Sequence, residues 1–397
     1  SVRVSGNLVV KQGGRLEVYN GRFFGDYTKR RYGSAYLQGS EFSGLIGNWN
    51  ASGIQVYSSE VTIVDCKVFS NKETRETILS GIMCISSSPT IIRTKVENFG
   101  LGIKVISSNA KIDSCEIKRN NKGIMAIESK PEIVSCIVEY NEEVGLGLYK
   151  SEGKVENCKI IRNSIGIECV EGTNTKILSN EIIGSNIGIK MVESSPEILQ
   201  NRIVECNEGI NGYYSNVIIR GNSFENDTFA YHSIGNGYPL SFMSENQILN
   251  VQSVIRQSWM LTLRIEDENE NPLTANIEVR DINGKKVFEG KSREDGVVSI
   301  QLCEYQVGPD ENYNPYKIKV SKGTAYEKFS IIVDNNLEKR VVIVLSEESV
   351  FSDMSLVVIL AIIIFSIILF VFLLFKRRSA NKRKNKGKKR KKRSSRF

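Results

Sequence analysis

The sequence predicts an all-β chain: a coil of short parallel strands, a small antiparallel β-sandwich behind it, and one apolar helix near the end. Three observations predict this. A 21–22 residue repeat runs through the first half, hairpin-type turns punctuate an alternating stretch from Trp259 to Leu345, and residues 355–375 carry no charge.

The repeat comes first, because a fixed period decides the architecture. The phrase SKPEIVSC at Ser129 returns as SSPEILQN at Ser194, three units later. Glycines preceding an apolar residue stand at Gly81, Gly102, Gly123, Gly145, Gly166, Gly188 and Gly209, at intervals of 21 or 22. A second column keeps phase with them: Thr94, Cys115, Cys136, Cys158, Asn180, Asn201 and Asn222. Gly53 and Cys66 extend both series upstream across one interval of 28, which holds the charged insert NKETRET. Each unit reads as short β-branched runs of period two separated by Ser, Asn and Gly. No unit has room for a helix, and the Ile/Val/Gly frame excludes a leucine-rich repeat. A coil in which each unit is one rung remains.

Rungs stack at about 4.8 Å, so equivalent residues form columns. Ile82, Ile103, Ile124, Leu146, Ile167, Ile189 and Ile210 are expected to point inward as the core. The column Cys66, Thr94, Cys115, Cys136, Cys158, Asn180, Asn201, Asn222 is expected to be a buried ladder. Stacked amides hydrogen-bond along such a column, and a thiol fills a similar volume as a weakly polar hydrophobe.

This grammar resembles the right-handed parallel β-helix, in particular the short-rung repeats of the family named for the copper-site maturation protein NosD. Pectate lyases share the architecture more distantly. The resemblance covers roughly residues 2–224. It implies the fold and leaves the function open, since the fold carries many unrelated activities. SGNLVVKQGGRLEVYNGRF reads as the start of the domain, with two hairpin-like apolar pieces before the regular rungs.

Copper handling would need clustered His and Met, and the chain has one histidine and six methionines without clustering. No metal and no cofactor is expected. Five of the eight cysteines fall in the stacking columns, counting Cys169 on the following strand, so buried free thiols are expected instead of disulfides. Cys84, Cys206 and Cys303 look scattered. His232 reads as lying outside the repeats, which removes a general-base histidine from every rung.

Residues 225–257 lose the rhythm and are expected to cap the last rung, whose open edge must be covered. Residues 258–346 alternate apolar and polar, with Asn283-Gly284 and Asp295-Gly296 at hairpin turns, and predict a β-sandwich. That stretch resembles the carboxypeptidase regulatory-like module through Pro272, Leu273, Ala275 and Gly284, which implies a stalk. Residues 355–375 are long enough to cross a bilayer core of about 30 Å. Fourteen Lys/Arg and no acid follow in 376–397, so the net +8 of the chain is −6 without the tail. The basic tail is therefore expected in the cytoplasm, against anionic lipid, with the rest outside. That placement favours a single-pass cell-membrane protein over a nucleic-acid binder. It also requires an export signal, cleaved or lying ahead of Ser1. Asn50 and Asn226 open glycosylation sequons. A β-helix on such a stalk resembles archaeal surface proteins, and a bacterial origin stays open.

The strand carrying the inward isoleucines also presents an outward column: Gln55, Met83, Lys104, Met125, Gly147, Glu168, Lys190, Asn211. Two residues on lies an apolar, aromatic-punctuated stripe: Tyr57, Ile85, Ile106, Ile127, Tyr149, Val170, Val192, Tyr213. Unless the chain turns before that position, Tyr57, Tyr149, Tyr213, Lys104 and Asn211 are candidate contacts to a glycan or an envelope protein. Glu168, Glu171, Lys190 and Glu193 crowd onto two rungs and are the candidate set for an alternative, a polysaccharide lyase or glycoside hydrolase. Opposite charges on adjacent rungs also simply stabilise the stack. A non-catalytic surface protein for adhesion, recognition or envelope structure is the reading the sequence favours.

Overall fold

The computed structural model describes residues 54–57, 60–70, 79–308 and 310–345 in full, the backbone of the strands between residues 8 and 44, and helical residues 358, 360–373 and 376. Each turn of the coil makes three short strands, and each strand pairs in parallel with its counterpart one turn on. The first face runs from Leu8–Val10 through Leu101–Ile106 to Phe229–Ile234. The second runs from Arg15–Tyr19 to Ile218–Arg220, the third from Arg22–Phe24 to Gln247–Leu249.

The inward isoleucines are in register. Ile103 pairs with Ile82 and Ile124, and Ile189 with Ile167 and Ile210; all are buried. Together with Ile112, Ile117 and their equivalents on the other two faces they form one continuous apolar core. The glycine column has a steric cause. A Cβ on Gly123 would stand 2.4 Å from the carbonyl oxygen of Gly145, and on Gly102 2.5 Å from that of Gly123. The chain leaves one corner so close to the rung above that no side chain fits.

At each of the three corners one residue adopts a left-handed φ and the next turns a polar side chain inward. Ser135 (φ 54°) precedes Cys136, Arg119 (φ 54°) precedes Asn120, and Glu128 (φ 49°) precedes Ser129. Positive φ is uncommon outside glycine, and what holds it here is three ladders of hydrogen bonds. In the first, the Asn180 backbone N–H and Nδ2 both donate to Asn201 Oδ1 at 2.9 Å, Asn201 does the same to Asn222, and Asn222 to Asn246. Thiol and amide are interchangeable because they make the same contacts. Cys158 Sγ accepts from the Cys136 N–H at 3.4 Å, as an amide oxygen would. Cys136 Sγ reaches the Ile112 carbonyl at 3.5 Å, as Asn201 Nδ2 reaches that of Ile177 at 2.9 Å. The second ladder is Asn120, Asn141 and Asn163, and its column goes on through Ser185, whose hydroxyl makes no hydrogen bond among the described residues, to Cys206 and Asp227, which are bonded again. The third is Ser87, Ser108, Ser129, Ser151 and Thr173.

All eight cysteines are buried, and none forms a disulfide. Cys84 and Cys169 share one inward column of the first face and Cys206 stands in the second ladder, so these are less scattered than the sequence suggests. Burial pushes the thiols of Cys84 and Cys169 up to about 12.

Asp227 is the acidic member of an amide-and-hydroxyl column. Its Oδ1 accepts from the Cys206 N–H at 2.7 Å, while its Oδ2 is buried without a hydrogen-bond partner among the described residues. Burial pushes its carboxyl from 3.8 up to about 7. The folded state therefore binds this proton more tightly than the unfolded one. The stability it contributes is full below about pH 4 and lost as the pH rises to about 7. An amide fits the column and can donate as Asn163 Nδ2 donates to the Val138 carbonyl at 3.1 Å. Asp227→Asn is thus expected to raise the melting temperature at pH 8 by several degrees, on the order of 2–4 kcal/mol, and to change it little at pH 4. A shift of equal size at both pH values contradicts this.

Three sequence-based expectations need correction. The opening pieces are rungs, not hairpins: Leu8–Val10 pairs in parallel with Tyr27–Arg30, and Arg15–Tyr19 with Ser34–Gln38. The coil does not stop at 224, because Phe229–Ile234 and Gln247–Leu249 each pair in parallel with the rung before. His232 therefore lies on a rung. The rhythm is hard to see there because Ala230 replaces the marker glycine and a detour is inserted between strands. Within that detour the short helix Phe242–Glu245 drives Phe242 into the end of the coil, against Tyr231 and Phe224 at ring-centroid distances of 5.4 Å.

The edge of the last rung is covered from beyond it. The 14-residue strand Ser253–Glu266 begins as a parallel neighbour of Phe229–Ile234 and pairs antiparallel with Val297–Val307 for most of its length. Its second half, with Val297–Val307 and Leu337–Val342, encloses a second apolar core against a four-stranded antiparallel sheet, Lys286–Lys291, Asn276–Arg280, Tyr316–Lys322, Ala325–Ile331. Gly284 (φ 80°) and Gly296 (φ 74°) make the two turns. Among the described residues no helix is long and apolar enough to cross a membrane. Residues 358, 360–373 and 376 are helical; the rest of 355–375, residues 377–397 of the tail and Asn50 lie outside the described residues.

Candidate functional site

The three faces of the coil differ in what they turn outward. On the second and third faces, charges alternate between rungs and pair across them: Lys154 with Glu132 at 3.2 Å, Lys159 with Glu181 at 3.4 Å, Arg202 with Glu181 at 2.8 Å and Glu225 at 2.6 Å. The first face is mostly apolar. Its outward column runs Met83, Lys104, Met125, Gly147, Glu168, Lys190, Asn211, His232, Arg256 in strict register. The strands do continue to the second column, so Tyr57, Ile85, Ile106, Ile127, Tyr149, Val170, Val192 and Tyr213 all lie on the face, each half-buried by its neighbours. The chain turns immediately afterwards, at left-handed residues such as Ser86, Glu171 and Glu193.

From Tyr149 downward the apolar face acquires a line of polar groups. Gly147 leaves room for the Tyr149 ring, which lies 2.9 Å from where a Cβ on Gly147 would stand. Tyr149 then donates to Glu168 Oε2 at 2.8 Å, and Lys190 Nζ donates to Oε1 at 2.9 Å. Both carboxylate oxygens are engaged. Burial, and then the Glu168 charge, holds the Tyr149 phenol well above its usual range, so it stays protonated. Tyr57 donates to Gln55 at 2.9 Å on the rung far upstream, and Tyr213 packs edge-on against Tyr214 at 4.6 Å. Lys104 lies between Met83 and Met125 in its column.

The carboxylates proposed for catalysis do not converge. Glu168 faces out from mid-strand, whereas Glu171 and Glu193 sit past the strand ends at the corner. Glu171 pairs with Lys150 at 3.0 Å, both more than half exposed. Asn226 stands exposed at another corner (φ 57°) and accepts from Asn250 Nδ2 at 2.7 Å.

A cluster the sequence reading missed lies two rungs below Glu168. His232 Nδ1 is 3.0 Å from Glu208 Oε1, and its Nε2 is 3.1 Å from Ser258 Oγ and 3.2 Å from Gln301 Nε2. An amide nitrogen only donates, so Nε2 is the acceptor and the ring proton sits on Nδ1, facing the carboxylate. Burial pushes the Glu208 carboxyl up, but the bonds from His232 and Asn211 and the Arg256 charge more than offset it, leaving it below its usual range. The order Ser–His–Glu is that of a hydrolytic triad. Ser258 is fully buried and His232 is 4 % exposed, however, so no substrate reaches the hydroxyl. Contributed by two rungs, the Ser253–Glu266 strand and Val297–Val307, the cluster locks the coil to the antiparallel strands at its end. The signal that finds it is the 21-residue interval from Asn211 to His232. Among the described residues no group of His, Cys, Asp and Glu is arranged to hold a metal ion.

Stacked three-strand rungs with corner ladders define a parallel β-helix. The chain belongs to the family described as right handed beta helix region, whose model matches residues 29–182 and 107–250, together more than half its length. No protein with a curated description matches the chain. Among solved structures it is similar to full-length tailspike protein 2 of the Escherichia coli O157:H7 bacteriophage CAB120, with 12% identity over 82% of this chain and 63% of that one, at a TM-score of 0.43. It thus spans a little under two thirds of that tailspike. A tailspike protein of the Acinetobacter baumannii bacteriophage Fri1, described as a capsular polysaccharide depolymerase, shares 11% identity over 83% of this chain and 78% of that one (TM-score 0.28). The polygalacturonase of Erwinia carotovora ssp. carotovora shares 11% over 61% and 86% (TM-score 0.27).

Proposed function

We propose that this protein is a membrane-anchored surface β-helix that captures a glycan along its first face, without catalysis; an envelope protein is the other partner such a face fits. The observation that carries this reading is the contrast on that face. Its carboxylates Glu168 and Glu208 are satisfied by neighbours on the same face, Glu168 by Tyr149 and Lys190, and Glu208 by His232 and Asn211, while half-exposed Tyr149 and Tyr213 flank a stripe of Val and Ile. Aromatic rings beside fixed polar groups suit sugar rings, which need an apolar platform and hydrogen bonds at once. A lyase or hydrolase needs a free acid or base aimed at the substrate, and Glu168 has both oxygens occupied.

Anchoring is supported by the helical residues 360–373, which are apolar apart from Ser366 and all exposed on the chain itself. A helix that is apolar all round and uncovered belongs in a bilayer. The basic tail then lies inside the cell, against anionic lipid, and residues 258–346 serve as the stalk. Its junction with the coil is stiff, because one strand is shared by both sheets.

The test is capture of full-length protein, in detergent micelles, on an array of immobilised glycans. Tyr149→Ala and Tyr213→Ala are each expected to weaken capture about tenfold, roughly 1.4 kcal/mol. Lys176→Ala on the second face should leave it unchanged. Equal losses in all three variants, or none in the tyrosine variants, contradict the assignment of the face.

A further inference from the structure

The solvent face of the four-stranded antiparallel sheet is unlike the rest of the protein outside the tail, which is acidic in sum. Arg280, Lys317, Lys319 and Lys328 line a concavity of about 520 Å³ there, with Ser330 and a single carboxylate, Glu278, which Arg280 engages at 2.5 Å. The cations are also paired with one another. Lys319 stands directly opposite Lys328 on one side and Glu278 on the other, and Arg280 opposite Lys317. One carboxylate, already engaged by Arg280, thus serves four cations, and like charges directly opposite destabilise a sheet unless more counter-charge is supplied. Lys317, Lys319 and Lys328 have no carboxylate partner among the described residues. Between them stands Tyr326, 59 % exposed, with the ammonium groups of Lys319 and Lys328 at 5.6 and 5.0 Å from its ring.

We infer that this basic face docks on the anionic phospholipid headgroups of the bilayer that anchors the chain. The inference rests on the membrane-anchored reading above. The chain length favours this occupant: residues 346–354 separate the last described residue of this region from the apolar run at Ser355 and span at most about 30 Å. The face is thereby held near a headgroup layer, where lysines are attracted within a Debye length. An exposed tyrosine among lysines suits the same interface. Docked in this way, the stalk leans on the membrane and fixes the direction in which the coil projects.

All native cysteines are buried, so a thiol-reactive fluorophore on Ser330→Cys reports on this face and one on Ser299→Cys on the opposite sheet. Full-length protein is reconstituted into vesicles of phosphatidylcholine alone or with phosphatidylglycerol, each containing lipid with a nitroxide headgroup as quencher. With phosphatidylglycerol, quenching at 330 is expected to exceed that at 299 at least threefold. The excess should vanish in 1 M salt and in Lys317→Glu/Lys319→Glu/Lys328→Glu. The salt arm stands even if the triple variant fails to fold. Equal quenching at both sites, or none that depends on phosphatidylglycerol, overturns the docking. So does a label at 330 that responds to dissolved polyuronate and not to vesicles. Alkaline extraction of the same vesicles separates the two ideas: protein that resists extraction but shows no excess quenching refutes docking alone, and protein that is extracted refutes the span and the docking with it.

Discussion

Gly123→Ala is expected to destabilise the coil by about 3 kcal/mol or more, at the top of the usual range for an overpacked core. The new Cβ would stand 2.4 Å from the Gly145 carbonyl oxygen, 3.0 Å from Asn141 Nδ2 and 3.1 Å from Val138 Cγ1. Two of these are parts of the hydrogen-bonded frame, so relief means separating two rungs. A rung cannot separate alone, because the columns above and below share its strands. Gly237→Ala is the control: nothing lies within 4 Å of its added Cβ, and it should shift stability by less than about 0.5 kcal/mol. Guanidinium denaturation midpoints compare the two. Equal midpoints would show that the rungs are not as closely stacked as the glycine column requires.

Asn201→Lys is expected to cost several kcal/mol, whereas Asn201→Cys costs about 1 kcal/mol or less. Asn201 is 1 % exposed; its oxygen accepts from the Asn180 backbone and side chain, and its Nδ2 donates to Ile177 and Asn222. A cysteine keeps the small volume and both kinds of contact, as Cys158 does, whose Sγ accepts from the Cys136 N–H at 3.4 Å and reaches the Ile133 carbonyl at 3.7 Å. A lysine buries an ammonium with no carboxylate in its column. Thermal unfolding of the purified variants reads the difference, and similar melting temperatures for the two would place this column outside the core.

The coil was legible because its strongest constraint, the contact that forbids a Cβ, repeats at one position per rung and writes a period into the sequence. The Cys/Thr/Asn ladder was legible for the same reason. The other two ladders, Asn120 to Asp227 and Ser87 to Thr173, occupy equally regular positions. Their residues, however, are those that any turn uses, so composition did not separate a buried column from a solvated loop. The ends were harder. At Phe229–Ile234 an alanine replaces the glycine, and the rung is followed by a detour that interrupts the count although the pairing continues. The Glu208–His232–Ser258–Gln301 cluster was missed on that account, and because Gln301 arrives through an antiparallel strand that no repeat announces. The outward column was legible as a register. The pairing within it was not: that Glu168 is taken by Tyr149 and Lys190, and that Glu171 turns away at a left-handed corner, depends on side-chain directions that spacing alone leaves open.

A first face that binds without cutting leaves its polysaccharide intact. Incubating full-length protein with the glycans it captures, acidic polysaccharides included, and following chain length and new reducing or unsaturated ends over time decides between binding and cleavage. Retention of the polysaccharide at its starting length is expected, with capture that depends on Tyr149 and Tyr213. Reproducible depolymerisation by the purified protein, abolished in Glu168→Gln while the fold persists, would refute the binding reading and assign the polar line beside Tyr149 to catalysis.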